Sequence, residues 1–128
     1  MKINQDGHST HISQKFNDEL EEIRSQLLEM GGIVEQQVKD AVESLLEGDT
    51  ELATQVRKKD HQVNLLQLEI DEYCTQILAR RQPTASDLRL VLAVIRATAD
   101  LERIGDEASK VARATLKLAE EGTSPRGY

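Results

Sequence analysis

Two internal breaks, Gly48-Asp49 and Gln82-Pro83, leave three uninterrupted stretches of roughly thirty residues or more in a chain of 128, and each stretch is patterned like a long helix. Gly122 closes the third, ahead of a tail containing Pro125 and Gly127. Apolar residues of the first stretch fall at Phe16, Leu20, Ile23, Leu27, Met30, Val34, Val38, Ala41 and Leu45. Steps of three and four alternate there, with one extra four between Val34 and Val38, which predicts a heptad seam with a local stutter. Gly31-Gly32 lies inside this pattern and predicts either a close helix crossing or a slight bend.

The second stretch opens on Asp49, a favourable N-cap, and predicts a seam of Leu52, Val56, Lys59, Val63, Leu66, Ile70, Tyr73 and Ile77. Lys59 is its polar intruder, able to lay its stem along the seam with the ammonium in water. In the third stretch Thr84 is placed to cap, with Asp87 three residues later, and Pro83 stops the preceding helix. Its predicted seam is Leu90, Val94, Ala97, Leu101, Ile104, Ala108, Val111, Thr115 and Leu118, ending at a left-handed Gly122. Short turns make neighbouring helices antiparallel. The expected fold is therefore all-α, an up-down-up three-helix bundle of helices roughly 50 Å long. The expected organisation is a flexible N-terminus over 1–10, the bundle over 11–121 and a linker or tail over 122–128.

Composition agrees with helices. Aromatic residues make up only 2% of the chain, too few for the usual β-sandwich or barrel. A net charge of −7 argues against a nucleic-acid binder and against stable docking on an anionic membrane. One cysteine, Cys74, forms no internal disulfide, fits a reducing cytoplasm, and is expected at the edge of the core. No apolar run is long enough to cross a bilayer and the N-terminus lacks a signal-peptide core, so any membrane association is expected to come through a partner.

Three surface patterns carry possible chemistry. On the third helix Leu88, Leu92, Ile95 and Ala99 lie away from the seam, either as extra core or as a docking face for another subunit. The same stripe runs on into Glu102, Asp106 and Ser109. Glu102 and Asp106, four apart, share a face and repel unless a cation answers them. Asp60, Asn64, Gln67 and Asp71 form an oxygen-rich stripe on the second helix, readable as a polar border or as the facing half of a hard-cation site. Arg89, Arg96, Arg103, Lys110 and Lys117 repeat every seven residues, either as a solvated flank pairing with acids on neighbouring helices or as a strip for phosphate or an acidic partner. Arg80-Arg81 suits the C-terminal dipole of the second helix. His8, His11 and His61 are not spaced as a metal set, and no nucleophile–base pair or nucleotide-phosphate loop is evident, so no catalytic residue is assigned.

The runs His11-Ile12-Ser13, Phe16-Asn17-x-Glu19-Leu20, Met30-Gly31-Gly32-x-Val34-Glu35-Gln36-Gln37, Arg80-Arg81-Gln82-Pro83-Thr84-Ala85-Ser86-Asp87-Leu88-Arg89 and Leu101-Glu102-Arg103-Ile104-Gly105-Asp106 closely resemble the PhoU family. The resemblance implies the first of two tandem three-helix bundles, ending in what looks like the linker, and so a single-repeat fragment. It implies a non-enzymatic, cytoplasmic negative regulator of phosphate uptake and of the phosphate-starvation response. Such a protein lies peripheral to the inner membrane and works by contact between the phosphate ABC transporter ATPase subunit and a sensor histidine kinase. A homodimer is implied as well. The partner surface is expected around Leu88, Leu92, Ile95, Arg96 and Arg103. The family's acidic-x-x-x-Asp metal motif is matched by Glu102-x-x-x-Asp106, but its counterpart reads Gln67-x-x-x-Asp71, one charge short. The expected ligands for Mg, Mn or Fe are Glu102, Asp106, Asp71, Asn64 and Asp60. A carboxylate-based bundle with metal-dependent activity or metal storage is the alternative from another class, and a purely structural assembly domain is a third.

Overall fold

The computed structural model describes the backbone of residues 2–122 and the side chains of residues 14–122. Three helices account for nearly all of it: α1 (Lys2–Glu47), α2 (Thr50–Arg80) and α3 (Ala85–Glu120). At 1.5 Å per residue they are roughly 69, 46 and 54 Å long, so the expected equal lengths give way to a longer first helix. That helix includes positions 2–10, ahead of the expected start of the bundle. The expected tail beyond position 122 lies outside the described residues. The connections are two and four residues long, and every helix packs on both others, giving the up-down-up bundle.

The breaks are built as their residues dictate. Gly48 has φ +68°, and the Asp49 amide donates back to the Ser44 carbonyl at 2.9 Å, closing α1 with a left-handed turn. Asp49 Oδ1 then accepts from the Leu52 amide at 3.0 Å, capping α2. At α3, Thr84 Oγ1 accepts from the Asp87 amide at 3.2 Å and donates to Asp87 Oδ2 at 2.9 Å, a reciprocal cap.

The core falls into two unequal parts. The larger contains Leu20, Ile23, Met30, Val34, Val63, Leu66, Ile70, Cys74, Ile77, Val91 and Val94. The smaller, near the α1–α2 turn, is built from Ala41, Ala53, Val56, Ala108 and Ala112. Cys74 is fully buried in the larger part, deeper than the expected core edge, and burial pushes its thiol up to about 11. In the alanine-rich end a buried Ser44–Thr115 hydroxyl contact of 3.2 Å joins α1 to α3.

Seam positions depart from the hydrophobic pattern in each helix. On α1, Gln37 and Ser44 are buried and Val38 is exposed. The heptad therefore runs 30, 34, 37, 41, 44 without the predicted stutter, because polar residues occupy two seam positions. On α2, Lys59 is exposed and Asp60 half-buried in its place, and Ala53 and Cys74 replace Leu52 and Tyr73 as the buried residues. On α3 the buried line passes through Val91, Thr98, Gly105 and Ala112, one position beyond the predicted Leu90, Ala97, Ile104 and Val111. Small residues take the most crowded positions, and Leu101 and Val111 pack at the flanks. Gly31 and Gly32 have open space where a Cβ would stand, so no helix crosses closely there.

Arg81, expected to serve the α2 dipole, instead reaches α1. Its Nε and Nη2 both lie 2.9 Å from Glu19 Oε1, and both side chains are largely buried. Removing one partner strands the other charge in a partly dry setting. Arg81→Ala is therefore expected to destabilise the bundle by about 1–3 kcal/mol in thermal unfolding, against less than about 0.5 kcal/mol for Arg24→Ala, whose partner Glu21 is solvated. Two members of the basic heptad of α3 pair within their own helix, Arg103 with Asp100 at 3.6 Å and Lys110 with Glu107 at 3.1 Å, while Arg89, Arg96 and Lys117 form no ion pair among the described residues, so the expected pairing across to neighbouring helices is not seen there.

Candidate functional site

The two parts of the core are separated by a polar layer to which all three helices contribute. From α1, Gln37 is buried, and its Nε2 donates to the Val56 carbonyl at 3.3 Å and to Asp60 Oδ1 at 3.4 Å. Its Oε1 has no hydrogen-bond partner. From α3, Gly105 leaves the space the layer needs. A Cβ there would stand 3.0 Å from Gln37 Oε1 and 3.2 Å from Asp60 Oδ1. Pattern reading missed Gln37 and Gly105 because neither is apolar. A glycine in mid-helix, costing about 1 kcal/mol against alanine, was the available signal.

Asp60, Glu102 and Asp106 meet around this layer. Partial burial raises the Asp60 carboxyl above its usual range; the Gln37 amide offsets this in part, and Asp106 adds to it. Glu102 is raised by partial burial first, then by the hydrogen bond and charge of Asp106 and by the charge of Asp60. Both groups bind a proton more readily folded than unfolded, so their contribution to stability falls as pH rises through the folded pKa. Asp106→Asn removes a charge facing both. It is expected to raise Tm at neutral pH by a few degrees and to lose that gain below about pH 4, where carboxyls become protonated in both states. Identical pH–Tm profiles for the variant and the parent would contradict this.

The other expected ligands are placed elsewhere. Asp71 lies eleven residues along α2 from Asp60, roughly 16 Å away, and accepts from Thr98 Oγ1 at 3.2 Å. Asn64 and Gln67 are half-buried between them. All-oxygen donors suit a hard divalent cation. As they stand, however, no three His, Cys, Asp or Glu side chains among the described residues are arranged to hold one. The side chains of His8 and His11 lie outside the described residues.

On the expected partner face, Leu88 and Leu92 are exposed, at 38% and 44%. Ile95 packs against the larger core, so the strip is core at one point and surface at two others. Arg96 and Arg103 are exposed beside it. A second apolar strip, unread in the sequence, runs along α1 through Val38, Val42 and Leu46. Among the described residues no helix is long and apolar enough to cross a membrane.

Residues 27–115 match the family model described as "PhoU domain". The chain is 60% identical over 126 residues to a protein of Pseudomonas aeruginosa named phosphate-specific transport system accessory protein PhoU homolog, covering 98% of this chain and 52% of that one. The PhoU accessory protein of Escherichia coli is 49% identical over 115 residues, covering 90% and 48%. The crystal structure of PhoU from Pseudomonas aeruginosa superposes with a TM-score of 0.83 at 61% identity, over 88% of this chain and 54% of that one. That of the phosphate transport system regulatory protein PhoU from Streptococcus pneumoniae gives 0.75 at 36% identity, over 80% and 49%. The chain spans about half the length of these relatives. With three packed helices, a matching family model and close likeness in both sequence and fold, the chain belongs to the PhoU family.

Proposed function

We propose that this bundle is a regulatory contact module of phosphate uptake, working by binding and not by catalysis. The observation that carries the reading is the identity over nearly the whole chain to relatives named as accessory proteins of phosphate-specific transport. In this reading the bundle lies in the cytoplasm, at the inner membrane through its partners. It links the transporter ATPase subunit to a sensor histidine kinase, restrains the starvation response and self-associates. The exposed Leu88 and Leu92, with Arg96 and Arg103 alongside, form the proposed contact surface. An apolar strip rimmed by arginines is suited to a partner helix with acidic flanks.

Pull-down with the kinase and the ATPase subunit tests the reading. Capture of either partner without turnover is expected. Leu92→Glu is expected to weaken capture or self-association at least about tenfold, since it buries a charge in the contact. Undiminished capture and mass would remove this face from the proposal.

The mutual repulsion of Asp60, Glu102 and Asp106 favours a second reading, in which Mg, Mn or Fe is held after side-chain rotation. Titration of metal-stripped protein is expected to raise Tm in the parent and not in Asp106→Ala. Metal-dependent phosphatase activity lost in that variant would favour the enzymatic alternative.

A further inference from the structure

A groove of about 400 Å³ lies between the first half of α2 and the second half of α3. Arg57, Lys58 and His61 line it from α2, and Arg113 from α3. Among the described residues, Arg57, Lys58 and Arg113 form no ion pair, a state they share with Lys59, Arg89, Arg96 and Lys117, but these three line one concavity. On a chain with 23 acids and 16 lysines and arginines, the gathering of three unpaired cations around one concavity runs against the average charge. Ser109, about nine-tenths buried, lies at the inner wall. Its hydroxyl has no hydrogen-bond partner among the described residues. Thr54 also lines the groove, but its hydroxyl already donates to the Thr50 carbonyl at 2.9 Å. The one carboxylate in the lining, Asp60, is engaged on its inner side by Gln37.

We propose that this groove binds free inorganic phosphate, held by Arg57, Lys58, His61 and Arg113, with the Ser109 hydroxyl as the inner donor. Guanidinium forks match the oxygens of a tetrahedral oxyanion, and a lysine ammonium adds a point charge. The concavity has the size of a small-ligand site, and the acidic remainder of the surface repels longer polyanions. The inference concerns phosphate itself and is independent of partner contact: the pull-down can fail while phosphate binds, and the reverse.

Amide NMR of the whole chain, titrated with sodium phosphate at ionic strength held constant with chloride, tests it. Saturable shifts are expected at amides of residues 54–61 and 109–113. Arg113→Gln and Arg57→Gln, both at exposed positions, are each expected to weaken binding at least about tenfold with helicity unchanged. Arg89→Gln, at the far end of α3, is expected to bind as the parent does. Absence of saturable shifts at about 10 mM phosphate would overturn the proposal, as would parental affinity in Arg113→Gln. Phenyl phosphate binding more tightly than phosphate would overturn the free-ion assignment in favour of a phosphoryl group carried on a larger molecule.

Discussion

Ile70→Ala is expected to cost about 2–5 kcal/mol and to lower Tm by roughly 10–20 °C in far-ultraviolet circular dichroism melts. Ile70 is fully buried in the larger part of the core, with Ile23, Met30, Val63, Cys74, Ile77 and Val91, also almost wholly buried, in the same cluster. Truncation removes three carbons from water-free surroundings and leaves a cavity between helices. These helices are stiff along their length, so they collapse onto the space only in part, and the cavity cost adds to the transfer cost. Leu68, two residues earlier but 64% exposed, provides the contrast, and Leu68→Ala is expected to cost less than about 0.5 kcal/mol. Equal losses for the two variants would contradict the assigned inward face of α2.

Gly105→Leu is the second large effect, and its sign opposes helix propensity. In an exposed mid-helix site leucine would be favoured over glycine by somewhat under 1 kcal/mol. At this site even the first added carbon meets Gln37 Oε1 at 3.0 Å and Asp60 Oδ1 at 3.2 Å, with a Val63 methyl at 3.5 Å. The bulk beyond Cβ has no room among three packed helices, so a net loss of about 1–3 kcal/mol is expected from overpacking. Gly105→Ala separates the two effects. Gln37 Oε1 has no hydrogen bond to lose in moving aside, so the alanine clash and the propensity gain are expected to cancel to within about 1 kcal/mol. A leucine variant more stable than the parent would mean that α3 does not approach its neighbours closely at this point.

Helix number, direction and the ends flanking the two internal breaks were legible in the sequence because they depend on local chemistry; the start of α1 at Lys2 was not. Asp49 and Thr84 cap as expected, Gly122 adopts the left-handed conformation at φ +69°, and the short breaks turn the chain back on itself. The buried line was less legible, because apolar content is a poor guide where three helices crowd. Gln37 and Ser44 hold seam positions that hydrophobicity assigns to surface, and Gly105 outranks Ile104 only once the neighbours are known. Of the site, Glu102 and Asp106 were visible as a spacing on one helix. Their meeting with Asp60 depends on the axial alignment of α2 and α3, which no local pattern encodes. The basic groove was hidden for the same reason: Arg57 and Arg113 are 56 positions apart, and only packing makes them neighbours.

The Gln37–Asp60–Gly105 layer also limits how this molecule can move. Sliding α1 along α2 by one helical turn, about 5.4 Å, would carry the Gln37 amide away from the Val56 carbonyl and Asp60 and into the methyl groups of the larger core. The layer thus acts as a register key. The alanine-lined end holds smaller side chains than the larger core, so opening that end is expected to disturb less packing than sliding one helix along another.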